Sequence, residues 1–303
     1  MEFGKVDPSE LNTTDHSLPP DAERTARILK ANKTKAKTAV HFGCAKWGRK
    51  EWVNLIYPKG TKEKEFLAHY GKHFDSLELN ASFYRIFPDA TVAGWANMVG
   101  DDFLFCPKFY QGITHLKRLK VEESKEWTDA FLRSISNFGD KLGPCFLQMP
   151  ENFLPKNHEV LEAYLRSLPK ELEVFVELRH KEWYEGDVRK RLFDMLEENN
   201  RGLLITDTSG RRDMIHMELT VPKAFIRFVG NNIHPTDYPR IDGWIERMGK
   251  WMKEGIHEIY FMMHQHDESN TPLISEYMIK KMNAELGSKL TVPKLLDQQT
   301  VLL

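Results

Sequence analysis

Cysteine is scarce: three in 303 residues, none in a CxxC spacing, so neither a disulfide framework nor a Cys-based zinc site is indicated. Cys44, Cys106 and Cys145 each fall in or at the end of an apolar run, which reads as buried free thiols and a cytoplasmic location. Net charge is also missing. At −1 overall the chain has no general basic field to hold nucleic acid or an anionic membrane, although a local basic patch is compatible with that value. No apolar stretch approaches the roughly 20 residues that span a bilayer, so no membrane association is expected. The first residues, MEFGKVDPSELNTTDHSLPPD, lack the apolar core of a secretory signal. There is no GxGxxG after the first apolar run, which ends GCAKWG, and no GKS, GKT or HExxH. The usual signatures of dinucleotide binding, P-loop chemistry and zinc peptidases are therefore lacking.

What is present is a repeat of short apolar runs. Eight occur: AVHFGC from Ala39, SLELNAS from Ser76, FLFCPK from Phe103, CFLQM from Cys145, EVFVELR from Glu173, LLITDTS from Leu203, AFIRFVG from Ala224 and IYFMMHQH from Ile259. Amphipathic stretches separate most of them, including TKEKEFLAHYGKHF with Thr61 as expected N-cap, ESKEWTDAFLRSISNFG, NHEVLEAYLRSLP and DGWIERMGKWMKEG. The sixth connection, SGRRDMIHMELTVP, is weak as a helix. Strands alternating with helices imply parallel βαβ units. An open doubly wound sheet would give the same alternation. Eight units, with polar strand ends spread along the whole chain, favour an α/β (β/α)8 TIM barrel over residues 37–303. Residues 1–36, polar and broken by Pro8, Pro19 and Pro20, read as an N-terminal extension outside the repeat and are expected to be dispensable for folding.

Pleat parity selects the candidate site, because alternate side chains of a strand point to opposite faces. Glu78 and Asn80 oppose Leu77 and Leu79. Glu177 and Arg179 oppose Val174, Val176 and Leu178. Asp207 is set opposite Leu204 and Thr206, Arg227 opposite Ile226 and Phe228, and His264 with His266 opposite Phe261 and Met263. With Lys108 and Gln148 these make a set of carboxylates, fixed cations and imidazoles expected at the C-terminal mouth of the barrel. Mutual burial of such groups separates their pKa values, which is how a site obtains an acid and a base near neutral pH. Glu78, Lys108, Glu177 and Asp207 are the catalytic candidates, with Glu177 and Glu78 as base and acid. Arg179 and Arg227 would hold an anionic group, and Asn80 and Gln148 would orient it. Trp47, Tyr57, Tyr84 and His115, on aromatic and basic loops, complete the substrate-binding set with His264 and His266. The alternative for the whole group is a structural ion-pair network. Glu78, Glu177, Asp207, His264 and His266 could offer mixed nitrogen and oxygen ligands, but Lys108, Arg179 and Arg227 would crowd a cation, and no metal is assigned.

The segments GCAKWGRKEWVNLIYPKG, LELNASFYRIFP, FCPKFYQGITHLKRL, GPCFLQMPENF, VELRHKEWY, DTSG and FIRFVGN, in this order, resemble the DUF72 (YecE-like) family. The resemblance runs from about Phe42 to His266. It implies a TIM barrel and supplies no established activity. The family's recurring positions fall here on Trp47, Tyr57, Glu78, Asn80, Phe83, Tyr84, Lys108, Thr114, His115, Gln148, Glu177, Arg179, His180, Trp183, Asp207 and Arg227. The last strand departs from the pattern: MMHQH stands where an Asn-rich ending is usual. The expected function is an enzyme using acid/base chemistry on a small polar or anionic organic molecule. A nucleic-acid or nucleotide-binding barrel and a non-catalytic metabolite-binding protein are the alternatives. Cofactor, substrate, reaction and oligomeric state are left open by the sequence.

Overall fold

In a computed structural model that describes residues 3–296, every one of the eight apolar runs forms a strand. The strands are β1 Ala39–Cys44, β2 Ser76–Leu79, β3 Leu104–Pro107, β4 Cys145–Gln148, β5 Val174–Glu177, β6 Gly202–Leu203, β7 Ile205–Asp207, β8 Lys223–Gly230 and β9 Glu258–Gln265. The sixth run supplies both β6 and β7. All pairings are parallel. β2, β4 and β5 are buried at every residue, as expected of parallel strands covered on both faces. The helices are α1 Glu23–Ala31, α2 Phe66–Tyr70, α3 Ala81–Tyr84, α4 Asp89–Ala96, α5 Val121–Ser136, α6 His158–Ser167, α7 Gly186–Glu198, α8 Asp237–Glu254 and α9 Thr271–Leu286. Among the described residues none is long and apolar enough to cross a membrane.

The expected closed eight-stranded ring is corrected in one respect: the sheet is not closed. Six strands form one sheet in the order β3-β2-β1-β9-β8-β7, and three form another in the order β4-β5-β6. The first and last strands are neighbours, pairing from Ala39↔Glu258 to Cys44↔Met263. The ladder fails at two places. Between β3 and β4 only the isolated bridges Phe105↔Leu142 and Lys108↔Phe146 remain. Pro107 ends β3 and has no N–H to donate. In the sixth run β6 pairs with β5 and β7 with β8, so the two sheets part at Leu204.

Side chains inside the strand layer form a compact apolar cluster of Cys106, Phe146, Phe175, Leu204, Phe225, Tyr260 and Met262. The larger cluster lies between strands and helices and includes Phe42, Leu77, Val176, Ile226 and Phe261. The parity of Glu78, Lys108, Gln148, Glu177, Arg227 and His264 follows the interior cluster. The sixth run is the exception. Leu204 is interior, so Thr206 is too, and Asp207 points outward toward α8. The three cysteines are buried and free.

The connections differ from expectation at their starts. Thr61 does not cap a helix: its hydroxyl donates to the Pro58 carbonyl, and the segment enters α2 through a 3₁₀ turn at Glu63–Glu65. The weak sixth connection is a 3₁₀ segment, Ser209–Met214. α8 and α9 stop at Gly255 and Gly287, both at positive φ, the left-handed stop glycine tolerates.

The extension is bound to the rest of the chain. Leu29 of α1 is fully buried in the outer core. The Thr25 hydroxyl donates to the Met217 carbonyl and accepts from the Leu219 N–H. Arg24 pairs with Asp194, Glu197 and Glu218. Asp21 pairs with Arg247 and Lys250. Further upstream, the Gly4 carbonyl accepts from the Gly210 N–H and the Thr208 hydroxyl. Phe3 stacks on the Arg179 guanidinium at 4.0 Å.

Candidate functional site

Arg227 is the centre of the strand-end cluster. β8 carries it into the interior one pleat beyond Phe225, where it is 1% exposed. Its Nε and Nη2 donate to Glu78 Oε2 and Oε1 at 2.8 and 2.9 Å, and its Nη1 donates to Glu177 Oε2 at 2.8 Å. The planar fork of arginine is suited to this two-pronged contact. Glu177 Oε1 accepts from Arg179 Nε at 2.8 Å and from the Thr206 hydroxyl at 3.4 Å. His264 Nε2 lies 2.9 Å from Glu78 Oε2, and its Nδ1 lies 3.5 Å from Glu268 Oε1. Asn80 closes the ring by donating to Glu78 Oε1 at 2.8 Å. The chain has already left the pleat there, so Asn80 arrives through a helical turn leading into α3.

These partners set the protonation states. Burial alone would raise Glu78, but the charges of Arg227 and His264 overcome it and hold the carboxylate far below its usual range. Burial is likewise overcome at Glu177, where Arg179 and Arg227 bring the pKa to about 2. Burial opposes the His264 cation, yet the Glu78 carboxylate, with Glu268 near its other nitrogen, raises its pKa. Lys108 behaves differently. Burial, with Arg227 close by, brings its ammonium down to about 7. Its Nζ donates to Gln148 Oε1 at 2.6 Å and lies 4.3 Å from the centre of the Phe83 ring. Among the described residues no carboxylate is within ion-pair distance of it. Burial and the neighbouring Lys108 charge lower His115 to about 4.

Above the cluster opens a cavity of about 650 Å³. Lys108, Gln148, Arg179, Arg227 and His264 line its floor, and Asn80, Tyr84, His115 and His266 its sides. Tyr84 is 68% exposed. The segment carrying His115 is a short π-helical stretch, Gly112–Leu116, a geometry common at functional sites.

Three predicted residues stand elsewhere. Asp207 is fully buried but faces the helix layer, where it accepts from Trp244 Nε1 at 2.7 Å and pairs with Arg240 and Arg212. Its parity is that of Ile205, so it has no access to the cavity. Tyr57 is buried in loop packing against Trp52 and Phe66, its hydroxyl donating to the Trp47 carbonyl. Trp47 packs edge-on to Trp95 and lines an adjoining cavity of about 530 Å³ that shares Lys46, Asn80 and Tyr84 with the first. Residues absent from the sequence prediction also reach the site. Thr206 was hidden by the parity error. Glu268 sits four residues after His264, a spacing visible in HQHDE but not in a strand period. Arg49 comes from a loop and Gln111 from the residue that opens the π-helical stretch, where no strand periodicity marks them.

An all-parallel α/β fold with a charged, cation-rich cavity at the strand ends defines a class rather than an activity. The chain belongs to the DUF72 family, described as a protein family of unknown function, whose model matches residues 41–298. It is 24% identical over 277 residues to the UPF0759 protein YecE of Escherichia coli K12, covering 84% of this chain and 98% of that one. It is 31% identical over 152 residues to the UPF0759 protein YunF of Bacillus subtilis, covering 48% and 52%. Crystal structures of DUF72 family proteins share the fold. One from Enterococcus faecalis has a TM-score of 0.65 at 20% identity, over 83% of this chain and 99% of that one. One from Thermotoga maritima has 0.65 at 22%, over 82% and 100%.

Proposed function

We propose that the chain is an enzyme of the (β/α)8 type, with β6 and β7 as one interrupted strand, acting by acid/base chemistry on a small anionic organic molecule. The barrel reading is supported by the pairing of the first strand with the last and by the bridge that spans β3 and β4. The observation that carries the functional reading is Lys108: a buried amine shifted close to neutral pH, on the floor of an open cavity. A residue seeking only burial would be better replaced by an apolar one, and pKa values displaced toward neutrality favour proton transfer. Glu78 and Glu177, both held by Arg227, act in this reading as fixed counter-charges. Lys108 is the group that exchanges a proton, while Arg179 seats the anion and Gln148 orients the amine. The excess of cations around the cavity supports an anionic substrate.

The test is a thermal-shift screen of carboxylates, organic phosphates and neutral polyols, since a ligand of the folded state raises the melting temperature. Anionic compounds should shift it, and Arg179→Met should remove the shift. If only oligonucleotides bind, with a steep loss of affinity in salt, the nucleic-acid alternative replaces this reading.

A further inference from the structure

We propose that Lys108 is a covalent nucleophile, and that the substrate class is an aldehyde or ketone carrying a carboxylate or phosphate. The inference rests on the anion-site reading above and goes further by naming the bond that forms. Three observations converge on it. Lys108 is 8% exposed, yet it lines the floor of the cavity together with Gln148. Its amine is held by a neutral acceptor, the Gln148 side-chain carbonyl, and lies over the face of Phe83, with Phe146 on a second side at 5.8 Å. A carboxylate partner would keep it protonated and unreactive; here burial and the nearby Arg227 charge oppose the ammonium, and among the described residues no carboxylate is in direct contact with it. The charged groups facing it are Glu78 on β2, Glu177 on β5, Arg179 just beyond, Arg227 on β8 and, from its own loop, His115. The carboxylates among them are already engaged by Arg227 and Arg179. A desolvated lysine beside fixed cations is a recognised way to obtain a neutral amine nucleophile near pH 7. Arg179, whose Nε alone is engaged by Glu177 and which lines the same cavity, gives the anionic end of the substrate a place beside the amine.

The step balances without an outside oxidant or reductant. The Nζ lone pair attacks the carbonyl carbon, and the C=O π pair moves to oxygen, which takes up the proton released from nitrogen. The carbinolamine hydroxyl then leaves as water, its second hydrogen being the remaining proton of nitrogen, while the nitrogen lone pair forms the C=N bond. One carbonyl and one amine become one imine and one water.

The experiment treats the full chain at pH 7 with glyoxylate, pyridoxal 5′-phosphate or acetaldehyde, each with sodium cyanoborohydride, and maps the modified lysines by peptide mass spectrometry. These are reagents: a carboxylate-bearing, a phosphate-bearing and an uncharged aldehyde. The expected result is preferential modification of Lys108 by an anionic aldehyde, at least tenfold over the surface lysines, with acetaldehyde much weaker. Whichever anionic reagent labels faster identifies carboxylate or phosphate. Modification spread over surface lysines, with Lys108 unlabelled, overturns the proposal. Equal labelling of Lys108 by glyoxylate and acetaldehyde overturns the anionic class. Glycolate and inorganic phosphate, which cannot form an imine, are run in parallel as thermal-shift ligands. If they stabilise the protein while Lys108 is unlabelled, the imine falls and the anion site stands. If they leave the melting temperature unchanged and Lys108 is unlabelled, both fall.

Discussion

Arg227 grips Glu78 with two parallel hydrogen bonds, at 2.8 and 2.9 Å, and turns its remaining nitrogen to Glu177. One guanidinium thus holds carboxylates from two strands, β2 and β5, in a region where neither carboxylate meets bulk water. Such a group contributes little net stability compared with apolar packing, but removing one member strands the others. The cost of taking it apart is therefore the clearest measure of what it does.

Arg227→Met should lower the unfolding free energy by roughly 3–5 kcal/mol, because it leaves two buried carboxylates without their main counter-charge. Arg227→Lys should recover only part of this, since an ammonium cannot serve both oxygens of Glu78 in one plane. Urea denaturation of the three proteins checks the order. A loss below about 1 kcal/mol for Arg227→Met would mean that water reaches the cluster.

Lys108→Met should stabilise the protein at neutral pH. A lysine whose folded pKa is near 7, against about 10.4 unfolded, is protonated in the unfolded chain and neutral in the folded one between these values. Folded stability therefore rises with pH across that window, and the burial cost is fully present below it. Replacing Lys108 removes that cost, so the gain should be largest below about pH 7 and vanish above the ordinary lysine range. Melting curves from pH 6 to 10 test this. A pH-independent effect would place the amine in water.

The carboxylates give a slope of the same sign in a lower pH window, because their folded pKa values too lie below the unfolded ones. Glu177, lowered to about 2, contributes stability that is present above the ordinary glutamate range and lost as pH falls toward 2. Glu177→Gln should therefore destabilise the protein by about 3 kcal/mol at pH 7 and flatten the acid limb of its stability profile. If the acid limb of the variant overlays that of the wild type, Glu177 is not the titrating group.

Asp207→Asn should cost stability and leave ligand binding untouched. Its partners Arg240, Arg212 and Trp244 belong to the outer layer. An anion-induced thermal shift that disappears in this variant would return Asp207 to the site.

Leu29→Ala should destabilise by roughly 2–5 kcal/mol, the usual cost of emptying a leucine site in a core. Deleting residues 1–36 should cost more, because it also removes Arg24 and Arg27 from Glu197 and Asp21 from Arg247. An unchanged melting temperature after either change would show that the extension is independent of the core.

The sequence by itself determined where the strands lie and which strand ends carry charge. A period of two is a local property, and Glu78, Lys108, Gln148, Glu177, Arg227 and His264 all keep to it. It failed at Asp207 because LLITD is apolar on both faces, so alternation alone does not say which side is inside; the neighbours across the ladder decide that. It was silent on Glu268 and Phe3, which reach the site through a loop and a remote segment. It placed the polar N-terminal segment outside the repeat but not against α8, since only tertiary contacts bring Leu29 into a core made by other elements. Sheet closure was also beyond it: whether Pro107 and Leu204 interrupt a ladder depends on the strand that lies beside each. Tertiary structure alone decided which of the charged strand ends pair with one another. Two glutamates that the sequence offers as acid and base are held by one arginine, while Lys108, buried beside Arg227 and without a carboxylate in contact among the described residues, has its pKa lowered to about 7.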